Sequence, residues 1–301
     1  MDPPSNEHND RPTQFSLRWI FGVTTGIAFL FGSIHWLGLG TIVTLVTVLL
    51  LVVAAVNVAM HYKRFAATVG MTLMGLMAFG CLMSILSERD GRSAARRSQC
   101  TNNLKQIGIA LHGYADDYGC FPPAYIADAE GRQMHSWRVL ILPYMGYQDL
   151  YRRYDFGEPW DGPNNQLLRK EVPLEFQCPS DALLPRTAGT GYVAITGPQT
   201  IWPDDGTVSF GEISDGTYQT LAVVEVAHSG INWMEPRDLP FSALNLGVNS
   251  PAGRAVSSEH PDIAQVLFCD GSVRALEPTL LVKTLKALAT KSGCEKIDEE
   301  Y

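Results

Sequence analysis

Apolar residues are concentrated near the start of the chain, in three long runs joined by short links. Trp19–Trp36, Leu37–Met60 and Phe65–Leu86 contain no charged residue. About 20 apolar residues suffice for a helix to cross a bilayer, so the pattern predicts three transmembrane helices within residues 15–87. The polar tail before them, residues 1–14, is expected to be disordered. A cleavable signal peptide is the alternative for the first run, but signals have shorter apolar regions and two further runs follow here.

Positive residues near these runs predict their orientation. Arg11 and Arg18 precede the first run, and Lys63 and Arg64 precede the third. In a three-span chain both groups lie on one face, which the positive-inside rule makes cytoplasmic. Residues 88–301 are then expected in the periplasm. Arginines just after the third run favour the opposite orientation, although long domains are translocated largely regardless of charge.

The next pattern is an apolar stripe at helical spacing. It is formed by Cys100, Leu104, Ile107, Leu111, Tyr114 and Tyr118, at alternating steps of four and three. This spacing predicts one apolar face on an α-helix, which must pack against another element. There is no proline between Phe65 and Tyr118, so we expect the third apolar run to continue into this helix.

Downstream, the pattern changes to short runs rich in β-branched residues between turn residues. Strands are predicted at Tyr192–Thr196, Thr207–Phe210, Thr220–Ala227, Ala264–Cys269 and Ser272–Leu276, and helices at Gln148–Tyr154, Asn164–Lys170 and Thr279–Lys291. Asp270-Gly271 is a typical two-residue hairpin turn. The predicted fold class is therefore α+β, with the long helix packed on an antiparallel β-sheet, and residues 88–301 form the extracytoplasmic domain.

Charge and cysteine content restrict the function. The net charge of −8 argues against nucleic-acid binding, which requires a basic surface. The six cysteines show no C-x-x-C or Cys/His ligand spacing, which argues against zinc. In an extracytoplasmic domain, one or two disulfides are expected.

Candidate chemistry around the histidines has simpler structural explanations. His260 and Asp270-Gly271 invite an acid–base or metal role, but the intervening extended strand would hold them about 20 Å apart, so a turn and anchor role is favoured. Asp116 and Asp117 with His112 could offer oxygens to calcium, but no EF-hand-like loop surrounds them. Trp137, Trp160, Trp202 and Trp233 are read as core and loop packing, with a sugar- or partner-binding surface as the alternative. No serine has a hydrolase context.

A series of short motifs resembles one bacterial family, the domain of unknown function 1559, also described as prepilin-type processing-associated H-X9-DG proteins. The motifs are Ala95-Arg96-Arg97-Ser98-Gln99-Cys100, Asn102-Asn103-Leu104-Lys105-Gln106-Ile107-Gly108, Leu111-His112, Phe121-Pro122-Pro123, Trp137, Leu142-Pro143-Tyr144, Phe176-Gln177-Cys178-Pro179-Ser180-Asp181, Ile213-Ser214-Asp215-Gly216-Thr217, Trp233 to Leu239, and His260 followed after nine residues by Asp270-Gly271. Each motif is weak alone, but their order is specific. The residues matched to the family's motifs include His112, Asp181, Asp215, Gly216, His260, Asp270 and Gly271.

The resemblance implies a pilin-like or pseudopilin-like architecture. Such proteins usually begin with a prepilin peptidase site, a glycine at the cut and a glutamate five residues after it, before a single apolar helix. Here the corresponding cut falls at Arg64-Phe65 with Val69 in the glutamate position, and the similar Gly70-Met71-Thr72-Leu73 has Gly75 there. The sequence thus departs from the family at its processing site.

Position and resemblance together predict a disulfide between Cys100 and Cys178. Cys100 lies on the apolar stripe, and Cys178 begins a family motif assigned to the same domain. Cys269 is the competitor for either partner. A bridge of this kind would persist in an oxidising compartment.

The apolar runs, the motifs and the family resemblance together predict a non-enzymatic protein of the inner membrane, with no cofactor. Its expected partners are the lipid bilayer and proteins of an envelope or secretion-like assembly. The alternative is an extracytoplasmic solute-binding domain, which would need a concave, largely apolar pocket.

Overall fold

The computed structural model describes residues 39–61, 65–250, 255–260, 262–295 and 297. The chain divides into two compact units, with the boundary between Arg89 and Asp90. The predicted tail at 1–14 and the first apolar run, Trp19–Trp36, lie outside the described residues.

The first unit contains helix α1, Leu39–His61, and the beginning of helix α2, Phe65–Tyr118. Helix α1 largely coincides with the second apolar run, and the beginning of α2 coincides with the third. Within the described ranges, none of the helices meets the length and apolarity needed to span a bilayer. The prediction of three transmembrane helices is therefore not supported by the structure.

The remainder of α2 belongs to the second unit and carries the predicted stripe. Cys100, Leu104, Ile107 and Leu111 are buried in the core, as the spacing predicts. Tyr118 is 63% exposed, so the stripe ends earlier than predicted. The reason is that Tyr118 is the last residue of the helix, and its ring stacks on that of the partly buried Tyr114 at 4.3 Å.

The described residues of the second unit form eight short strands and five further helices. The strands are β1 (Tyr125–Ala127), β2 (Gln133–Ser136), β3 (Tyr192–Val193), β4 (Ile195–Thr196), β5 (Leu221–Glu225), β6 (Leu239–Pro240), β7 (Ala264–Phe268) and β8 (Val273–Leu276). The helices are α3 (Trp137–Leu140), α4 (Gln148–Arg153), α5 (Asn165–Leu168), α6 (Leu184–Thr187) and α7 (Val282–Ala289). Short 3-10 turns occupy Leu142–Met145, Leu174–Phe176, Phe210–Glu212, Thr217–Gln219 and Phe241–Leu246.

The central sheet has four strands in the order β3-β5-β7-β8, and every neighbouring pair is antiparallel. Its side chains alternate between two hydrophobic cores, as expected for a sheet covered on both faces. Val223 and Leu267 belong to the core that includes the stripe of α2, whereas Val224 and Val266 belong to the core that includes Leu285 of α7. The α+β class is confirmed, with helices on both faces of the sheet.

One predicted strand was wrong. Thr207–Phe210 forms no strand, and the 3-10 turn Phe210–Glu212 begins there. Ser209 and Glu212 make a reciprocal capping box, in which the Ser209 N–H donates to the Glu212 carboxylate at 2.8 Å. This local arrangement satisfies the backbone without a partner strand.

Candidate functional site

Four side chains from separate parts of the second unit converge beneath α2. Cys100, Cys178, Glu225 and His260 each offer a ligand atom, and these atoms all lie within 4.8 Å of one another. All four residues are at most 3% exposed. A cluster of two thiols, an imidazole and a carboxyl group in the core is therefore shielded from solvent.

Each member is placed by a different element. Cys100 lies on the buried face of α2, and Glu225 is the last residue of β5. Cys178 follows the 3-10 turn Leu174–Phe176 and accepts, through its carbonyl, the N–H of Asp181 at 3.1 Å. His260 stands in the loop before β7, where its N–H donates to the Ser258 hydroxyl at 3.1 Å.

A neighbour on α2 fixes the position of the Cys178 loop. Asn103 does not belong to the predicted stripe, but it is buried, and its side-chain amide donates to the Gln177 carbonyl at 2.9 Å. Because this hydrogen bond joins the helix to the residue before Cys178, it helps to hold Cys178 against Cys100.

The distances within the cluster are short. The sulfurs of Cys100 and Cys178 are 2.8 Å apart, and both residues are free cysteines. The His260 Nε2 lies 3.1 Å from the Cys100 sulfur and 3.6 Å from the Cys178 sulfur. It also lies 3.9 Å from Glu225 Oε1. The predicted disulfide stays a prediction, but the structure does bring its two cysteines together.

The electrostatics of the cluster favour one thiolate. The hydrogen bond from Cys178, with a further contribution from His260, lowers the pKa of Cys100 to about 5. The same shared hydrogen bond, together with burial, raises the pKa of Cys178. The hydrogen bond to Cys100 raises the pKa of His260, and burial raises that of Glu225 to about 7. These directions favour the thiolate form of Cys100 and the thiol form of Cys178.

Glu225 and His260 each have a second polar atom, and neighbouring polar groups hold both of these atoms in place. Glu225 Oε2 accepts the N–H of Gln265 at 3.1 Å, and His260 Nδ1 lies 3.4 Å from the Ser180 hydroxyl. The Ser180 hydroxyl also accepts a hydrogen bond from the Arg96 side chain at 3.2 Å. As a result, His260 Nε2 is directed at the two sulfurs, and Glu225 Oε1 lies 3.9 Å from this nitrogen.

This cluster has the donor types of a metal site and not the geometry of an exposed nucleophile. A catalytic cysteine must reach its substrate, but these thiols are buried. The sequence provided no spacing signal, because the ligands are far apart: Cys100 and Cys178 are separated by 78 residues, and Cys100 and His260 by 160.

The His-X9-Asp-Gly motif divides between this cluster and a turn. His260 belongs to the cluster, whereas Asp270 and Gly271 form the turn between β7 and β8, with Gly271 at a φ of 84°. The Asp270 carboxylate accepts the Ser272 N–H at 2.8 Å. His112 joins this hairpin to α2, because its Nε2 lies 2.8 Å from the Cys269 carbonyl oxygen.

The other motif residues anchor loops. The Asp181 carboxylate accepts the N–H of His228 at 2.7 Å and is nearly fully buried. The Asp215 carboxylate accepts the N–H groups of Gly293 at 2.7 Å and Cys294 at 2.9 Å, and so holds the C-terminal segment. Gly216 follows with a φ of 92°, a conformation that glycine adopts without strain.

The residues considered for a calcium site and for an aromatic binding surface are not brought together in the structure. Asp117 accepts the Tyr144 hydroxyl at 2.7 Å, and His112 faces the hairpin, so the residues considered for calcium do not share a site. Trp137, Trp202 and Trp233 are fully buried in the core that includes the α2 stripe. These three rings therefore do not form a binding surface.

The fold and cluster define a class: an α+β protein in which a long helix packs on an antiparallel sheet. Residues 89–237 match the sequence model of a family described as Protein of unknown function (DUF1559), with the short name SBP_bac_10. These 149 residues, just under half of the chain, are similar to that family, which confirms the resemblance drawn from the motifs. Comparison with curated proteins gave no match, and neither did comparison with solved structures.

Proposed function

We propose that the protein is a non-enzymatic, pilin-like structural or interaction protein of the bacterial cell envelope. In this proposal, the N-terminal apolar region attaches it to the inner membrane, and residues 88–301 lie in the periplasm. The observation that carries the proposal is the change of character along α2. Its beginning exposes apolar side chains, whereas its later stripe is buried in a folded domain.

The exposed apolar part of α2 supports attachment to a membrane or to other helices. Met71, Met74, Leu76 and Phe79 are each at least 60% exposed. Helix α1 also exposes large apolar side chains, such as Val43 and Leu45. Apolar surface of this extent is unfavourable in water and is normally covered by lipid or by a partner. The positive residues flanking the apolar runs support the proposed orientation.

Membrane fractionation of the full chain tests the attachment. We expect the protein to stay in the membrane pellet after alkaline carbonate washing and to need detergent for release. A photo-crosslinking amino acid at Phe79 should give adducts with lipid or with a second copy of the chain. The same group at the exposed Tyr118 is the matched control and should give no lipid adduct. Recovery of the full chain in the supernatant without detergent would reject membrane attachment.

A second candidate is solute binding, which one pocket favours. Val193, Val226, Ile231 and Leu239 line a cavity of about 300 Å³, with Arg237 among its polar members. The volume is at the lower end for a small-ligand site. An increase in the melting temperature of the full chain with a small solute, abolished by Ala243→Trp at the pocket wall, would favour this function over the first.

A further inference from the structure

We propose that Cys100, Cys178, His260 and Glu225 bind a zinc ion in a closed structural site beneath α2. This inference goes beyond the function proposed above and does not depend on it. It rests on the convergence of the four ligand atoms, on their burial, and on a buried carboxylate oxygen that lacks a hydrogen bond.

The donor set fits zinc. Structural zinc sites are tetrahedral, use thiolate and imidazole ligands, and accept a carboxylate oxygen. Two sulfurs at about 2.3 Å from zinc at the tetrahedral angle are about 3.8 Å apart. In the structure, the His260 Nε2 lies 3.1 Å and 3.6 Å from the two sulfurs and 3.9 Å from Glu225 Oε1. These three separations lie within about 0.6 Å of the edges of such a tetrahedron, and the 2.8 Å sulfur pair would have to open by about 1 Å.

Glu225 indicates that a cation belongs in the cluster. Its Oε2 accepts the N–H of Gln265, but its Oε1 is buried and has no hydrogen-bond partner among the described residues. A buried oxygen of a carboxyl group without a partner is costly. A zinc ion among the four ligand atoms would contact this oxygen directly.

The surrounding groups have the arrangement of outer ligands in metal sites. A metal-bound imidazole commonly uses its second nitrogen to hydrogen-bond a neighbour, and ligating carboxylates are themselves hydrogen-bonded. Ser180 is placed to serve His260 in this way, and the Gln265 N–H serves Glu225. His260 would thus bind the metal through Nε2.

A disulfide between Cys100 and Cys178 is the competing state of the same two cysteines. The sulfur separation of 2.8 Å is longer than the S–S bond of about 2.05 Å and shorter than that of two zinc-bound thiolates, so the distance does not choose. The surroundings of His260 and Glu225 distinguish the zinc site from the disulfide. A disulfide would leave Glu225 Oε1 buried and still without a hydrogen bond, 3.9 Å from His260 Nε2. Zinc satisfies all four groups.

The first test measures the metal content of the full chain. The protein is purified in detergent without added metal or chelator, and its zinc content is measured by mass spectrometry. About one zinc per chain is expected, lost in Cys100→Ser and Cys178→Ser. Cys269→Ser is the matched control, because Cys269 is also buried but lies outside the cluster, and it should keep the metal.

The second test uses cobalt as a probe and does not depend on variants folding. Wild-type protein in which Co²⁺ replaces zinc should show thiolate-to-metal charge-transfer absorption and tetrahedral bands. Glu225→Gln, which conserves shape, should weaken zinc binding by at least about 10-fold. A Cys100–Cys178 disulfide in the purified protein, two free thiols that bind neither metal, or copper or iron in place of zinc would overturn the assignment.

Discussion

Arg138 and Asp238 form an ion pair whose side chains are 0% and 2% exposed. The guanidinium also donates to the Tyr192 carbonyl at 3.1 Å and to the Ser136 hydroxyl at 3.0 Å. Asp238 accepts the N–H of Ala194 at 2.7 Å. This network joins α3 to β3 and to the residue preceding β6, so the core includes a polar junction that is fully satisfied.

Replacing Arg138 with methionine should destabilise the fold strongly. The substitution leaves Asp238 buried without its cation, which typically costs about 3–5 kcal/mol. Urea unfolding monitored by circular dichroism would measure the change. Arg152→Met is the control, because Arg152 pairs with Asp149 on the surface and its loss should cost at most about 1 kcal/mol. Equal midpoints for the two variants would contradict this prediction.

The close approach of α2 to the sheet leaves little room for a side chain at Gly108. A Cβ atom at this position would lie 3.0 Å from Leu267 Cδ1. Gly108→Val should therefore cost about 1–3 kcal/mol through overpacking. Gly91→Val, on the same helix, meets no atom within 4 Å and serves as the control. If both variants unfold at the same denaturant concentration, the helix does not depend on this contact.

Burial of His135 should make stability depend on pH. Burial lowers the pKa of His135, although the carboxylate of Asp155 opposes the shift. The unfolded chain then binds a proton near pH 6.5 that the folded chain does not, so stability falls as pH drops below about 6.5. His135→Gln should reduce the loss of stability between pH 7.5 and pH 5. Melting curves at both pH values check this, and an unchanged difference would exclude a contribution from His135.

The orientation of the chain can be measured with reporter fusions. A fusion at Tyr301 should report the periplasm and a fusion at Tyr62 the cytoplasm, because the positive residues before the first and third apolar runs favour the cytoplasmic side. Alkaline phosphatase and a fluorescent protein provide the paired readouts. Cytoplasmic reporter activity at Tyr301 would reject the proposed orientation.

The N-terminal region should be retained in the mature protein. The sequence offers neither at Arg64-Phe65 nor at Gly70-Met71 the combination of a glycine at the cut and a glutamate five residues later. Intact mass measurement of membrane-purified protein should find residues 1–64 still present. A mature chain that begins at Phe65 or Met71 would show that a peptidase accepts this departure.

Local patterns determined the elements of this protein. The spacing of Cys100, Leu104, Ile107 and Leu111 predicted the buried face of α2, because helical periodicity is repeated by neighbouring residues. The strands β5, β7 and β8 and the Asp270-Gly271 turn also lie where composition placed them. The family motifs were readable for the same reason, since each is a short contiguous segment.

Only the tertiary structure decided what the motifs do together. The family resemblance paired Cys100 with Cys178, but it placed His260 in a separate motif, and Glu225 was only a position within the predicted strand Thr220–Ala227. They become one cluster because the packing of α2 on the sheet brings four distant segments to one point. Asn103 likewise lies outside the predicted stripe, yet it is buried against the loop that carries Cys178. A convergence of this kind depends on long-range packing, which no local period in the chain records.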